Sequence, residues 1–180
     1  MTDEIYFDTD CLSHFLRVKE QRILVALYSG RIAVPMIVYQ ELSSPLIKQY
    51  SLKTDIDILI KNKHVLLKKM EPESLVEEKY YEILYNTKTR IPGIGKGEAS
   101  VMSFAFINQG VMASNNLKDV RDFVKEHQIK NLTTADILIE AFKMNVISRF
   151  DVNEIWHRML KHGAKLPNQS FDEFEQLKEK

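Results

Sequence analysis

Apolar residues fall along this chain in short unbroken runs, separated by longer stretches in which they recur at helical spacing. Ile5-Tyr6-Phe7 is the first run and predicts a short buried strand. Leu12, Phe15 and Leu16, then Ile23, Leu24 and Leu27, follow at helical intervals and predict helices that Ser29-Gly30 stops. Ile32-Ala33-Val34 is a second strand candidate, and Pro35 suits the first turn of a helix running through Val38 and Leu42 to Ser43-Ser44-Pro45. Leu46 to Ile60 reads as helix, on Leu52, Ile56, Leu59 and Ile60, and Val65-Leu66-Leu67 as a third strand. Ser74 with Glu77 forms a capping-box pattern for a helix to about Tyr85. Thr87 to Lys96 is a loop holding Pro92, Gly93 and Gly95. Glu98 to Asn108 is a mostly apolar helix that stops near Gly110, and Val111-Met112-Ala113 is a fourth strand. Asp119 to His127 reads as helix and Leu132 marks a very short fifth strand. Thr134 can cap a helix from Ala135 to Met144, Asp151 one from Val152 to Lys161, and Ser170 opens a final helix. Short strands alternating with helices predict an α/β fold with a parallel sheet. No repeat or linker divides the chain, so residues 1–180 are expected to form one domain, with a helical extension from about 150.

Charge adds a constraint. Lysine plus arginine and aspartate plus glutamate number 25 each, so the net charge is zero and a large nucleic-acid footprint is disfavoured. Charge is nevertheless segregated. Residues 61–69 and 88–96 are basic without an acid, whereas Glu71, Glu73, Glu77, Glu78 and Glu82 lie between them. The single cysteine, Cys11, sits in an apolar context and fits a buried residue in a reducing cytoplasm. Met1-Thr2-Asp3-Glu4 lacks the basic start of a signal peptide, and no apolar run approaches the ~20 residues that cross a bilayer. A cytoplasmic protein without a membrane partner is expected. The five histidines show no zinc-ligand spacing.

The chemistry is carried by four acids at the edges of apolar runs. Asp8 follows the first strand, Glu41 lies on the helix after Pro35, Glu98 opens the apolar helix behind Gly95 and Gly97, and Asp119 comes shortly after the fourth strand. Strand ends in a parallel sheet share one rim, so these carboxylates can converge. Converging carboxylates repel one another, and a hard divalent cation with a preference for oxygen, Mg²⁺ or Mn²⁺, removes that repulsion. Each motif also has a plainer reading: Asp8-Thr9-Asp10 as a turn in which Asp10 caps the next helix, Glu41 as a boundary residue, Glu98 as a favourable charge at a helix start, and Asp119 as part of an ordinary polar strand-to-helix turn. Ser114 and Asn116 can shape the turn before Asp119, and Asp136 either caps its helix or adds a fifth acid. Lys118 and Arg121, with Arg90 and Lys96 in the loop before Glu98, are candidates to meet a phosphate backbone.

These motifs resemble those of the PIN domain, a class of small nucleases. Asp8-Thr9-Asp10 looks like its opening motif, Val34-Pro35 with Val38 and Glu41-Leu42 like its second, and Gly95-x-Gly97-Glu98-Ala99 like its third. Ser114-x-Asn116-x-x-Asp119 resembles a motif of the toxin branch, with Val120 where a Phe usually follows. Ile137 to Met144, a long helix and Lys161-His162-Gly163-x-Lys165-Leu166-Pro167 are similar to an uncharacterised branch. That branch often has an Asp-Asp pair where this chain has Asn115-Asn116. Under its alignment the fourth acid is lost, whereas under the toxin-branch alignment, which the Asn116-to-Asp119 offset favours, Asp119 supplies it. The resemblance implies a three-layer α/β/α fold with a short-stranded, mostly parallel central sheet and added C-terminal helices. It also implies a Mg²⁺- or Mn²⁺-dependent ribonuclease using Asp8, Glu41, Glu98 and Asp119, with RNA as substrate, and in the toxin branch an antitoxin partner and a homodimer. The alternative is a binding or scaffold module that keeps the fold and has lost the catalysis. The segment Phe171 to Leu177, with apolar residues three apart, packs on its own domain or on a second protomer.

Overall fold

Ile5, Tyr6 and Phe7 are all buried, with no polar alternation, as expected of a strand covered on both faces. In the computed structural model of the protein this strand, β1 (Ile5–Phe7), is the centre of a five-stranded sheet. The structure describes residues 3–44, 52–86, 91 and 93–178, with Leu117 and Asp119 described in their backbone only. The sheet order is β3 (Val65–Lys68), β2 (Ile32–Pro35), β1, β4 (Val111–Ala113), β5 (Asn131–Leu132), and every pairing is parallel. Ile5 is in register with both Ile32 and Val111.

Parallel neighbours need crossovers, and helices supply them. The chain runs outward from β1 to β2 and β3 through α1 (Thr9–Arg17), α2 (Gln21–Tyr28), α3 (Met36–Leu42) and α4 (Leu52–Lys61). It then returns past β1 to β4 through α5 (Leu75–Tyr85) and α6 (Lys96–Ile107), and reaches β5 through α7 (Leu117–Glu126). Crossovers are right-handed, so reversing direction puts the second helix set on the opposite face. The result is a three-layer α/β/α fold with flanking C-terminal helices. The reversal creates a switch point between β1 and β4, the place where open α/β sheets bind ligands.

Stacking of Tyr6 on Phe104, with ring centroids 5.5 Å apart, seats α6 on β1. Three C-terminal helices complete the molecule: α8 (Thr134–Lys143), α9 (Arg149–Lys161) and α10 (Phe171–Lys178). Trp156 of α9 is fully buried and meets Phe171 and Phe174 of α10. Phe171 and Phe174 of the last helix therefore pack on their own chain, while Leu177 is exposed, and Arg149 fastens the helix through Asp172 and Glu175.

Several boundaries differ from the sequence reading. Thr133, not Thr134, caps α8, and Ser148, not Asp151, caps α9; Asp136 and Asp151 are the third helical residues of capping boxes. In both boxes the carboxylate reaches back to the cap, so an acid three residues inside the helix mimics a cap in the sequence. Pro35 closes β2 and stands immediately before α3. Helices α6 and α7 begin two residues before Glu98 and Asp119 respectively. Residues 46–51 of the helix expected from Leu46, and half of the Thr87–Lys96 loop including Arg90 and Pro92, lie outside the described residues.

Candidate active site

The backbone N–H of Asp8 donates to the Ala113 carbonyl at 3.0 Å, which extends the β1–β4 pairing and sets Asp8 at the switch point. Asp8 caps α1 through Oδ1, which accepts the Cys11 N–H at 2.7 Å. It is therefore Asp8, not Asp10, that caps this helix. Its second oxygen, Oδ2, is buried without a hydrogen bond of good geometry. Burial pushes the Asp8 carboxyl up to about 7; the Ser114 hydroxyl and the Cys11 N–H oppose this, while Asp10 and Glu98 push it further. A buried carboxylate oxygen with no donor is costly, and an ion or a proton relieves it.

Glu41 reaches the same place from α3. Its Oε1 accepts the Gly97 N–H at 3.0 Å and its Oε2 accepts the Thr9 hydroxyl. A Cβ on residue 97 would stand 2.5 Å from Glu41 Oε2, so only glycine lets the start of α6 approach this carboxylate so closely.

Glu98 is the third residue of α6, and its Oε2 accepts the Gly95 N–H at 3.0 Å in a capping arrangement. Its Oε1 accepts the Asn116 side-chain amide at 2.6 Å. Behind it Ala99 to Ala105 are all buried, so the helix that carries Glu98 is held by the core. Asp8, Asp10, Glu41, Gly95, Gly97 and Glu98 line one cleft of about 160 Å³.

Asp10 lies at the exposed rim, where Asn115 and His14 contact its carboxylate at 3.2 and 3.4 Å. The His14 contact, against some burial, holds its carboxyl below the usual range. Ser114 is buried just beyond β4 and accepts the Asn116 N–H, which shapes the turn into α7. Asp119 follows on the first turn of α7, with its side chain outside the described part, and Lys118 and Arg121 beside it are exposed. Lys96 is exposed at the first position of α6. Thus the fold brings together Asp8, Glu41 and Glu98, with Asp10, Ser114 and Asn116 around them. Asp136 is not among them: Thr133 and Lys178 occupy its oxygens.

The donor set is all oxygen and suits Mg²⁺ or Mn²⁺, and the orphaned Asp8 Oδ2 is the atom that such an ion satisfies. The other two acids are turned to protein donors instead. Among the described residues no three acidic, histidine or cysteine side chains are gathered closely enough to hold a metal ion as they stand.

Sequence reasoning missed two contributors. Asn115 ties α8 to this rim: its Oδ1 accepts the Thr134 N–H at 2.8 Å and its amide donates to the Thr134 hydroxyl at 3.0 Å. Gly163 and Lys165, from the turn after α9, line an adjoining opening of about 430 Å³ with Asp10, Glu98, Asn115 and Asn116. The Lys161–Pro167 segment stood out in the sequence, but nothing local to it marked a place beside Asp10, Glu98 and Asn115.

A family model described as "PIN domain" matches residues 4–180. The chain belongs to the PIN-domain family. No curated protein matches it. Among solved structures, this PIN domain is similar to a chain of the crystal structure of VapBC2 from Rickettsia felis bound to a DNA fragment from their promoter. The two are 18% identical, the match covers 72% of this chain and 98% of the other, and the TM-score is 0.48. Among the described residues no helix of the PIN domain is long and apolar enough to cross a membrane.

Proposed function

We propose that this PIN domain is a metal-dependent endoribonuclease that hydrolyses RNA phosphodiesters, with Asp8, Glu41, Glu98 and Asp119 as ligands of Mg²⁺ or Mn²⁺. The observation that carries the reading is the buried Oδ2 of Asp8, without a hydrogen bond of good geometry, at the β1–β4 switch point, with Asp10, Glu41 and Glu98 in the same cleft. A divalent ion bound there supplies Lewis acidity toward a water and the phosphoryl oxygens. The chain's own residues do the rest. Asp8, fixed by its capping bond, offers one oxygen to the ion; Thr9 and Gly97 hold Glu41, and Asn116 and Gly95 hold Glu98. Lys118, Arg121, Lys96 and Arg90 offset the acids' repulsion of a phosphate backbone. The Ser114-x-Asn116-x-x-Asp119 motif supports a toxin role, with an antitoxin and a second protomer as partners. The buried free thiol of Cys11 supports a cytoplasmic setting.

The test is incubation of the pure protein with mixed RNAs and Mn²⁺, with Asp8→Asn as control. Loss of a ligand charge is expected to lower cleavage at least about a hundredfold. Equal cleavage by parent and variant would refute the assignment.

One observation favours a second reading, a scaffold that has lost catalysis. The neutral Asn116 amide occupies the position beside Glu98 Oε1 that a cation would take. Calorimetric titration separates the two, because the scaffold binds no Mn²⁺ even at millimolar metal.

A further inference from the structure

A third opening, of about 260 Å³, lies where the start of α8, the turn at 165–167 and α10 meet. It neighbours the acid cleft by way of the opening of about 430 Å³. Asp10 and Glu98 line both the cleft and the middle opening, and Asn115 and Lys165 line both the middle opening and this pocket. The wall is apolar, from Ala135, Leu166, Pro167 and Phe174, and the rim is polar, from Asn115, Thr133, Asp136, Lys165 and Lys178. We propose that this pocket receives one nucleobase of a single RNA strand whose neighbouring phosphate lies at the acid cleft, with Lys165 on the phosphate that joins the two.

Three physical points select this occupant. Two N–H groups at the start of α8 are taken, Thr134 by Asn115 and Asp136 by Thr133, and the Asp136 carboxylate is paired with Lys178. An uncharged planar group with polar edges fits apolar walls with a polar rim, as a base does. Lys165, by contrast, is exposed and makes no ion pair with another described residue. It stands between an acid-rich cleft and an apolar pocket, where a backbone phosphate passing from one to the other needs a counter-charge. The pocket is also held in shape. Phe174 packs on Trp156 with ring centroids 5.5 Å apart, and Lys178 fastens α10 to Asp136 at 2.5 Å. A preformed pocket lowers the ordering cost of binding.

The inference rests on the nuclease reading for its substrate class, so the experiment separates the two. Amide chemical shifts of the whole protein are followed by NMR during titration with the four nucleoside 5′-monophosphates, ribose 5-phosphate and inorganic phosphate. The nucleotides are expected to shift Ala135, Leu166 and Phe174, and the two base-free phosphates to leave them in place. Lys165→Ala is expected to weaken nucleotide binding roughly fivefold, the loss of one exposed charge contact. Leu166→Ala, which thins the wall, is expected to weaken it without changing the response to inorganic phosphate, and the spectrum itself reports whether each variant is folded. Equal shifts with ribose 5-phosphate, or shifts confined to the surroundings of Asp8, overturn the proposal. If Mn²⁺-dependent cleavage is absent while base-dependent shifts persist, the nuclease reading falls and the pocket stands as a nucleotide site. If cleavage is present and the base-dependent shifts are absent, the pocket proposal alone falls.

Discussion

Asp8 uses only one of its two oxygens as a cap. Oδ1 caps α1, and Oδ2 is left buried at the switch point. The pattern Asp8-Thr9-Asp10 admitted a capping reading and a ligand reading, and the structure shows that capping uses only half of the group. The energetic consequence is measurable. Burial raises the Asp8 carboxyl from its ordinary 3.8 to about 7 in the folded chain. Between those values the folded state binds more protons than the unfolded one, so Asp8 makes the protein less stable as pH rises through that window. In metal-free protein, Asp8→Asn is expected to raise Tm at pH 8, by the equivalent of roughly 2–4 kcal/mol at most. That gain should vanish below about pH 3, where both states of the parent are protonated. Scanning calorimetry with chelator checks it, and a gain independent of pH would show that burial of this carboxyl is not the cause.

At the scale of elements, the site depends on how closely α3 and the start of α6 approach. Glu41 looked like a boundary residue because it stands one position off the Val38–Leu42 face. What gives it a role is Gly97, whose missing side chain admits the carboxylate and whose N–H binds it. Gly97→Ala is expected to cost about 1–3 kcal/mol through overpacking, or to expel Glu41 from the cleft. Denaturant unfolding and Mn²⁺ titration together read both outcomes. Under either one the Mn²⁺ affinity falls if Glu41 is a ligand, and an unchanged affinity would remove it from the set. The misplaced caps of α8 and α9 belong to this scale too. Thr133 with Asp136 and Ser148 with Asp151 repeat one reciprocal hydrogen-bond pattern, which spacing alone displays but does not orient.

At the scale of the whole molecule, α10 decides how the C-terminal helices hold together and how the groove beside the acid cleft is walled. Phe171 is fully buried against Trp156 and Phe142. Phe171→Ala is expected to lower stability by about 3–5 kcal/mol. Removal of residues 170–180 should destabilise the protein without changing its mass in solution. A drop in mass from two copies to one would show instead that α10 is an interface. Charge acts at this scale as well. The chain is neutral overall, so a cation matters by where it meets a substrate. The double variant Lys96→Ala, Arg90→Ala is expected to bind single-stranded RNA more weakly and to flatten its salt dependence by roughly 0.7 log units per lost phosphate contact. Filter binding across salt concentrations measures this, and identical slopes would exclude both residues from contact with RNA.

The sequence alone determined the order of short strands and helices, the parallel sheet and the family. These follow from local periodicity, caps and motifs, each written within a few neighbouring residues. It also named Asp8, Glu41 and Glu98, since an acid that interrupts an apolar run is visible wherever it occurs. Which acids share a cleft was decided by the tertiary structure, because that depends on the reversal of strand order at β1 and β4 and on the close approach of Gly97 to Glu41. The exclusion of Asp136 was decided there too, by Lys178 arriving from a helix 42 residues away. So was the arrival of Asn115 and Lys165 at one groove, since contacts between residues far apart in the chain leave no mark on its local pattern.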